Sequence, residues 1–146
     1  MTHDLPADDE AAAHRLSVVL GQLIRLLRRE APVEVGPGSL AALATLVRHG
    51  PMRLGDLAAR EGVSPPTLTR MVGALEEAGH VVREQDGADR RAVQVRVTPA
   101  GAAVVAEAVA ARAAALRARL AALGDADRQA LARALPALEV LAEDAR

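Results

Sequence analysis

Residues 53–97 read RLGDLAAREGVSPPTLTRMVGALEEAGHVVREQDGADRRAVQVRV, and the fold is decided there. Leu54 and Leu57 give a short helix an apolar face, and Ala58 is small enough to let a second helix approach. Gly62 supplies flexible turn backbone, with Val63 plugging the corner. Ser64 and Pro65 then open the next helix, Ser64 as its cap and Pro65 as its first residue. Leu68, Met71, Val72 and Leu75 recur at helical spacing, so they face inward together. Pro66, Thr67, Thr69, Arg70, Gly73 and Ala74 remain outward, a small and sparsely charged surface of the kind that enters a major groove. Gly79 ends the helix.

Past Gly79 the period shortens from helical to alternating. Val81-Val82-Arg83 and Ala92–Val97 read as a two-stranded ribbon, with Val93, Val95 and Val97 on one face and Gln94 and Arg96 on the other. Asp86-Gly87-Ala88-Asp89-Arg90-Arg91 forms its tip. Adjacent arginines on a ribbon beside a recognition helix can reach a minor groove; the bland alternative is a solvated turn, or an ion pair with Asp86 or Asp89. Arg83, at the strand start, suits bracing the wing through a carboxylate better than touching DNA, though it belongs to the same cluster. The expected fold is mainly α with a small β-wing, a winged helix-turn-helix flanked by further helices.

The stretch resembles the multiple-antibiotic-resistance regulator (MarR) family of bacterial transcription factors. The resemblance is carried by Leu57-Ala58, Gly62-Val63-Ser64, Thr67, Thr69-Arg70-Met71-Val72, Leu75-Glu76, Gly79, Arg83, Asp86, Asp89-Arg90-Arg91 and Val97-Thr98-Pro99-Ala100-Gly101. Asp-Arg-Arg followed by a strand and Thr-Pro-x-Gly is its most specific part. His80 departs from the leucine usual there, and Arg53 from the threonine or serine that often caps the preceding helix. The resemblance implies that Asp89 orients an arginine and that Arg90 enters the minor groove. It also implies a homodimer, with small anionic aromatic effectors that bind between the dimerisation helices and the winged part and shift the spacing of the two recognition helices.

Composition bounds the rest. The chain has 146 residues, one domain's worth, and is 51% hydrophobic without one aromatic side chain. Such a core fills space with many small aliphatic contacts, which favours closely packed helices. All basic residues are arginine and net charge is -1, so overall charge does not announce a nucleic-acid binder. Without cysteine there is no disulfide, thiolate metal site or thiol switch. The acidic start MTHDLPADDEAAAH lacks the pattern of a secretory signal, and no uninterrupted apolar run has the length to span a bilayer. A soluble cytoplasmic protein with no membrane partner is expected.

Outward from the motif, Leu16, Val19, Leu20, Leu23, Ile24 and Leu27 make residues 10–30 a long amphipathic helix, after a flexible N-terminus over 1–9. Ala31-Pro32 and Gly36-Pro37-Gly38 are breaks, and Ser39 caps a helix through Val47. Thr98-Pro99 starts an alanine-rich helix to about Leu123, and a last one runs from Asp127 to about Asp144, kinked or interrupted at Pro136. The expected organisation is one regulatory domain over 10–146, with dimerisation helices at 10–35 and 99–146 and the winged part at 36–98, its helix-turn-helix at about 53–76. The terminal helices carry more apolar surface than a small winged domain covers, which points to a two-fold dimer.

The candidate DNA-binding set is Ser64, Pro65, Pro66, Thr67, Thr69, Arg70, Arg83, Asp89, Arg90 and Arg91. For an effector the crevice would be lined by Leu16, Leu20, Leu43, Val47 and the start of the helix after Thr98, with His14, Arg15 or His49 as polar anchors, and no aromatic ring offers stacking. The histidines His3, His14, His49 and His80 show no metal-ligand spacing, and Met52 and Met71 read as core; no metal or cofactor is expected. No paired carboxylates, nucleophile elbow or phosphate loop supports an enzyme. The favoured function is a dimeric repressor on a pseudo-palindromic double-stranded operator. The alternative is a winged-helix protein-interaction module, against which the arginine-bearing wing argues.

Overall fold

The computed structural model describes residues 7–87 and 92–142. In chain order the elements are α1 (Ala7–Glu30), α2 (Pro37–His49), β1 (Met52–Arg53), α3 (Leu54–Glu61), α4 (Pro65–Glu77), β2 (Val81–Gln85), β3 (Val93–Val97), α5 (Pro99–Ala121) and α6 (Asp125–Ala142). They form two units, residues 31–111 and residues 1–30 with 112–146, so α5 contributes to both.

In the unit over 31–111, Ala42, Leu43 and Leu46 of α2, Leu57 and Ala58 of α3, Leu68, Val72 and Leu75 of α4, and Val81 and Val95 of the sheet form one core. Spacings of three and four put the helical members on single faces, and alternation puts Val95 inward between Gln94 and Arg96. Val93 shares that strand face but is 47% exposed, because it stands out along the wing beyond the core. Thr45 of α2 donates to Glu61 at the end of α3 at 2.5 Å, which holds the two helices in register.

The sheet differs from the expected two-stranded ribbon. It has three antiparallel strands in the order β1-β3-β2, with Met52 opposite Val95 and Val81 opposite Val97. Two residues show no periodicity, so β1 left no pattern to read. The cap of α2 is also relocated: Gly36 precedes a helix that begins at Pro37, and Ser39 lies inside it. Proline's fixed φ suits a first helical residue, which moves the start ahead of the serine. Helix α1 begins at Ala7, inside the stretch expected to be flexible.

In the other unit, the Arg119 guanidinium grips Glu30 at the end of α1 through both carboxylate oxygens. Helix α6 is continuous across Pro136 rather than interrupted there. The proline removes the N–H that would serve the Ala132 carbonyl, but Ala132 is exposed and water can take its place. No described residue of α6 is buried, and Leu135, Val140 and Leu141 are 54%, 69% and 72% exposed. Val18, Val19, Leu20, Leu23 and Ile24 of α1 are exposed as well.

By length and composition alone α5 could cross a membrane, contrary to the expectation from uninterrupted apolar runs. Alanine and valine over 23 residues satisfy that test even with Glu107 and Arg112 among them. Its first part is instead packed into the winged unit, where Gly101 and Ala108 are buried.

Candidate nucleic-acid interface

The turn between α3 and α4 is closed by backbone. Gly62 adopts φ 64 and ψ 30, and its N–H reaches the Ala59 carbonyl while that of Val63 reaches Ala58. A left-handed residue at this point lets both orphan carbonyls of α3 find donors, and glycine takes the conformation without steric cost. The far end of α4 closes the same way, with Gly79 at φ 76, its N–H on Glu76 and that of His80 on Leu75.

Ser64 stands at the cap position of α4, as expected, but makes no capping hydrogen bond. Its hydroxyl pairs with that of Thr67 at 2.9 Å. Thr69 turns its hydroxyl back along the helix and donates to the Pro65 carbonyl at 2.9 Å. Ser64, Pro65, Pro66, Thr69, Arg70 and Ala74 are exposed, and Thr67 and Gly73 half-buried, so the face opposite Leu68, Val72 and Leu75 is the expected one. Among the described residues Arg70 has no hydrogen-bond or ion-pair partner. The first acid on this helix, Glu76, is turned to Arg83, 3.3 Å away.

That contact is the carboxylate brace expected of Arg83, tying β2 to the end of α4. Further along the wing, Glu84 holds Arg96 at 2.8 Å and Gln94 at 3.3 Å across the β2–β3 pair. At the base of the tip the Asp86 N–H donates to the Ala92 carbonyl at 2.9 Å. Asp86 also accepts from Nε and Nη2 of Arg53, at 3.0 and 2.8 Å. Arg53 was notable in the sequence only as a poor helix cap. It makes no cap, and it links the start of α3 to the wing. Since β1 was invisible, nothing in the sequence brought positions 53 and 86 together. Asp89, Arg90 and Arg91 lie outside the described residues.

Behind the wing, Thr98 caps α5 as expected, accepting from the Gly101 N–H at 3.1 Å. The same hydroxyl donates to the Gly79 carbonyl at 2.7 Å, and the Thr98 N–H reaches His80. One threonine thereby joins the end of α4, the end of β3 and the start of α5. Of the effector candidates, His14 and Arg15 are exposed on α1, and His49 at the end of α2 has its Nε2 3.2 Å from the Arg60 guanidinium. Leu43 is fully buried in the winged core, so it lines no open crevice; Val47, on the next turn, is 46% exposed. The apolar side of α2 was read correctly, but the depth of each residue along it depends on the sheet packed beneath.

A helix-turn-helix followed in the chain by a braced β-ribbon defines the winged-helix class of proteins. Residues 37–93 match the MarR family model. An HTH-type transcriptional regulator of Mycobacterium tuberculosis is 37% identical over 93% of this chain and 96% of its own. The HTH-type transcriptional repressor MdtR of Bacillus subtilis is 33% identical over 46% of this chain and 43% of its own. Among solved structures, a transcriptional regulator of Pseudomonas aeruginosa is 29% identical, with a TM-score of 0.79 over 97% of this chain and all of that one (100%). The chain belongs to the MarR family, and is a transcriptional regulator rather than an enzyme.

Proposed function

We infer that the chain acts as a cytoplasmic homodimer that binds a pseudo-palindromic double-stranded DNA operator and represses transcription from it. The observation that carries the reading is Arg70: exposed, without a hydrogen-bond or ion-pair partner among the described residues, and on a helix whose first acid, Glu76, is turned to Arg83. A guanidinium left unpaired on a rigid helix is held ready for a base edge or a phosphate. Ser64, Pro65, Pro66, Thr67 and Thr69 share the contact in this reading. Arg83 braces the wing from which Asp89, Arg90 and Arg91 reach the adjacent minor groove. The exposed apolar residues of α1 and α6 support the two-fold partner, and the likeness to MdtR supports repression. Release by a small-molecule effector, anchored by His14, Arg15 or His49, completes the proposal on the strength of the family resemblance.

The test is selection of duplexes from a random library, followed by fluorescence anisotropy on a selected duplex and on scrambled DNA. Arg70→Ala should cost about 1 to 3 kcal/mol on the selected duplex if Arg70 reads a base, with relaxed preference at that position. A uniform loss on both duplexes would make it a phosphate contact. Unchanged binding to both would remove α4 from the interface.

A further inference from the structure

Pro66, Thr69, Arg70, Gly73 and Ala74 fall at helical spacing along one stripe of α4. The donor of the stripe's one hydroxyl is already committed, although its oxygen can still accept. Pro66 has no N–H, the Thr69 hydroxyl donates to Pro65 at 2.9 Å, and beside the stripe the hydroxyls of Thr67 and Ser64 pair with each other at 2.9 Å. Apart from Arg70 and the Thr69 oxygen, the stripe offers a groove apolar groups: a proline ring, the γ-methyl of Thr69 and the β-methyl of Ala74.

An apolar surface pressed against base edges strips water from donors and acceptors and returns no hydrogen bond. The thymine C5-methyl is the exception, since it is the apolar group that the four bases present in the major groove. We propose that Thr69 is a specificity-determining residue that reads a thymine through methyl–methyl contact, beside the base or phosphate engaged by Arg70. The inference rests on α4 entering a major groove. The hydroxyl of Thr69 serves to fix the side chain: donation to the Pro65 carbonyl holds one rotamer, and in this proposal the methyl is the branch that meets the groove. Serine at this position would form the same backbone bond and present nothing to the methyl. Valine would keep both branches without the hydroxyl.

The probe is a duplex selected by the wild-type protein from a random library, with the thymines of one half-site replaced singly by deoxyuridine. That exchange deletes the C5-methyl and leaves Watson–Crick pairing intact. One position should lose about fourfold in affinity, the change expected for one buried methyl group. Thr69→Ser should bind the parent duplex more weakly and be indifferent to deoxyuridine at that same position, whereas Thr69→Val should keep the preference for thymine over deoxyuridine there. Residue 69 is exposed, and melting curves check that both variants fold. If Thr69→Val loses as much as Thr69→Ser, the hydroxyl carries the contact and the inference is overturned while DNA binding stands. If wild type and Thr69→Ser respond alike at every thymine, it is overturned as well. A wild-type protein that selects no duplex overturns the functional reading beneath it.

Discussion

At the residue scale, the tightest constraint in the winged unit falls on Gly101. A β-carbon there would lie 2.1 Å from the His80 carbonyl oxygen and 2.9 Å from a Val97 methyl. Neither atom can retreat cheaply: the carbonyl already accepts from the Thr98 N–H, and Val97 sits in the sheet opposite Val81. Gly101→Ala should therefore displace the start of α5 and cost about 1 to 3 kcal/mol or more, as overpacking does. Gly73→Ala, where a β-carbon meets nothing within 4 Å and the backbone is helical, should be neutral or slightly stabilising. Melting curves of the two variants check this, and equal behaviour would mean that α5 does not press on His80. The glycine was visible in the sequence as part of Thr-Pro-x-Gly, but its reason was not. A close approach between residues 80 and 101 depends on how a strand pair returns the chain, which side-chain spacing does not encode. The same holds for Thr69: its outward position follows from helical period, while the direction of its hydroxyl is a rotamer choice.

At the scale of elements, α3, α4 and the later wing strands were legible because each carries a strong periodic signal bounded by Gly62, Gly79 or the charged tip. β1 was not, and with it the link between Arg53 and Asp86 was lost. That link ties the first residue before α3 to the base of the wing, with Asp86 17% and Arg53 48% exposed at the side chain. An ion pair so exposed contributes little to stability, about 0 to 1 kcal/mol. Its effect should appear where wing orientation matters. Arg53→Ala and Asp86→Ala should each melt close to wild type yet bind a selected duplex more weakly. The double variant should be no worse than the weaker single one, the mark of coupled residues. Additive losses would mean that the two act separately on DNA. A second link, between Glu30 and Arg119, ties α1 to α5 within the other unit. The hydrogen bond from Arg119 is the main reason that the Glu30 carboxyl is held below its ordinary value, with the guanidinium charge adding to it against some desolvation. A depressed folded-state value means that the contribution is complete above the ordinary carboxylate range and is lost as pH falls through the depressed value. The gap in melting temperature between wild type and Glu30→Gln should thus be constant near neutrality and narrow in acid. Parallel curves down to full acid denaturation would remove the link.

At the scale of the whole molecule, the proposed assembly rests on the apolar residues that a single chain leaves in water. In α6, Leu131, Leu135, Val140 and Leu141 are 45% to 72% exposed, and α1 adds Val18, Val19, Leu20, Leu23 and Ile24. Monomeric proteins seldom present so many large aliphatic side chains on consecutive helical turns. The pattern itself was readable, since leucines at helical spacing on terminal helices exceed what the winged core can cover. Leu135→Glu separates the alternatives. On a monomer, 54% exposed at this residue, the substitution trades an apolar surface group for a solvated one and should change stability by no more than about 0.5 kcal/mol. Across a dimer seam, the same change sets a carboxylate, and its symmetry copy, into apolar surroundings. The dimer should then dissociate at micromolar concentration, read by sedimentation, and DNA affinity should fall by orders of magnitude because each half-site is engaged alone. For wild type the melting temperature should rise with protein concentration, as it does when folding and association are linked; for the variant, dissociated before it melts, that dependence should vanish and melting should begin at a lower temperature. A wild-type chain that sediments as a monomer, melts independently of concentration and tolerates Leu135→Glu would leave these helices without a second copy, and the paired recognition of a two-fold operator would go with it.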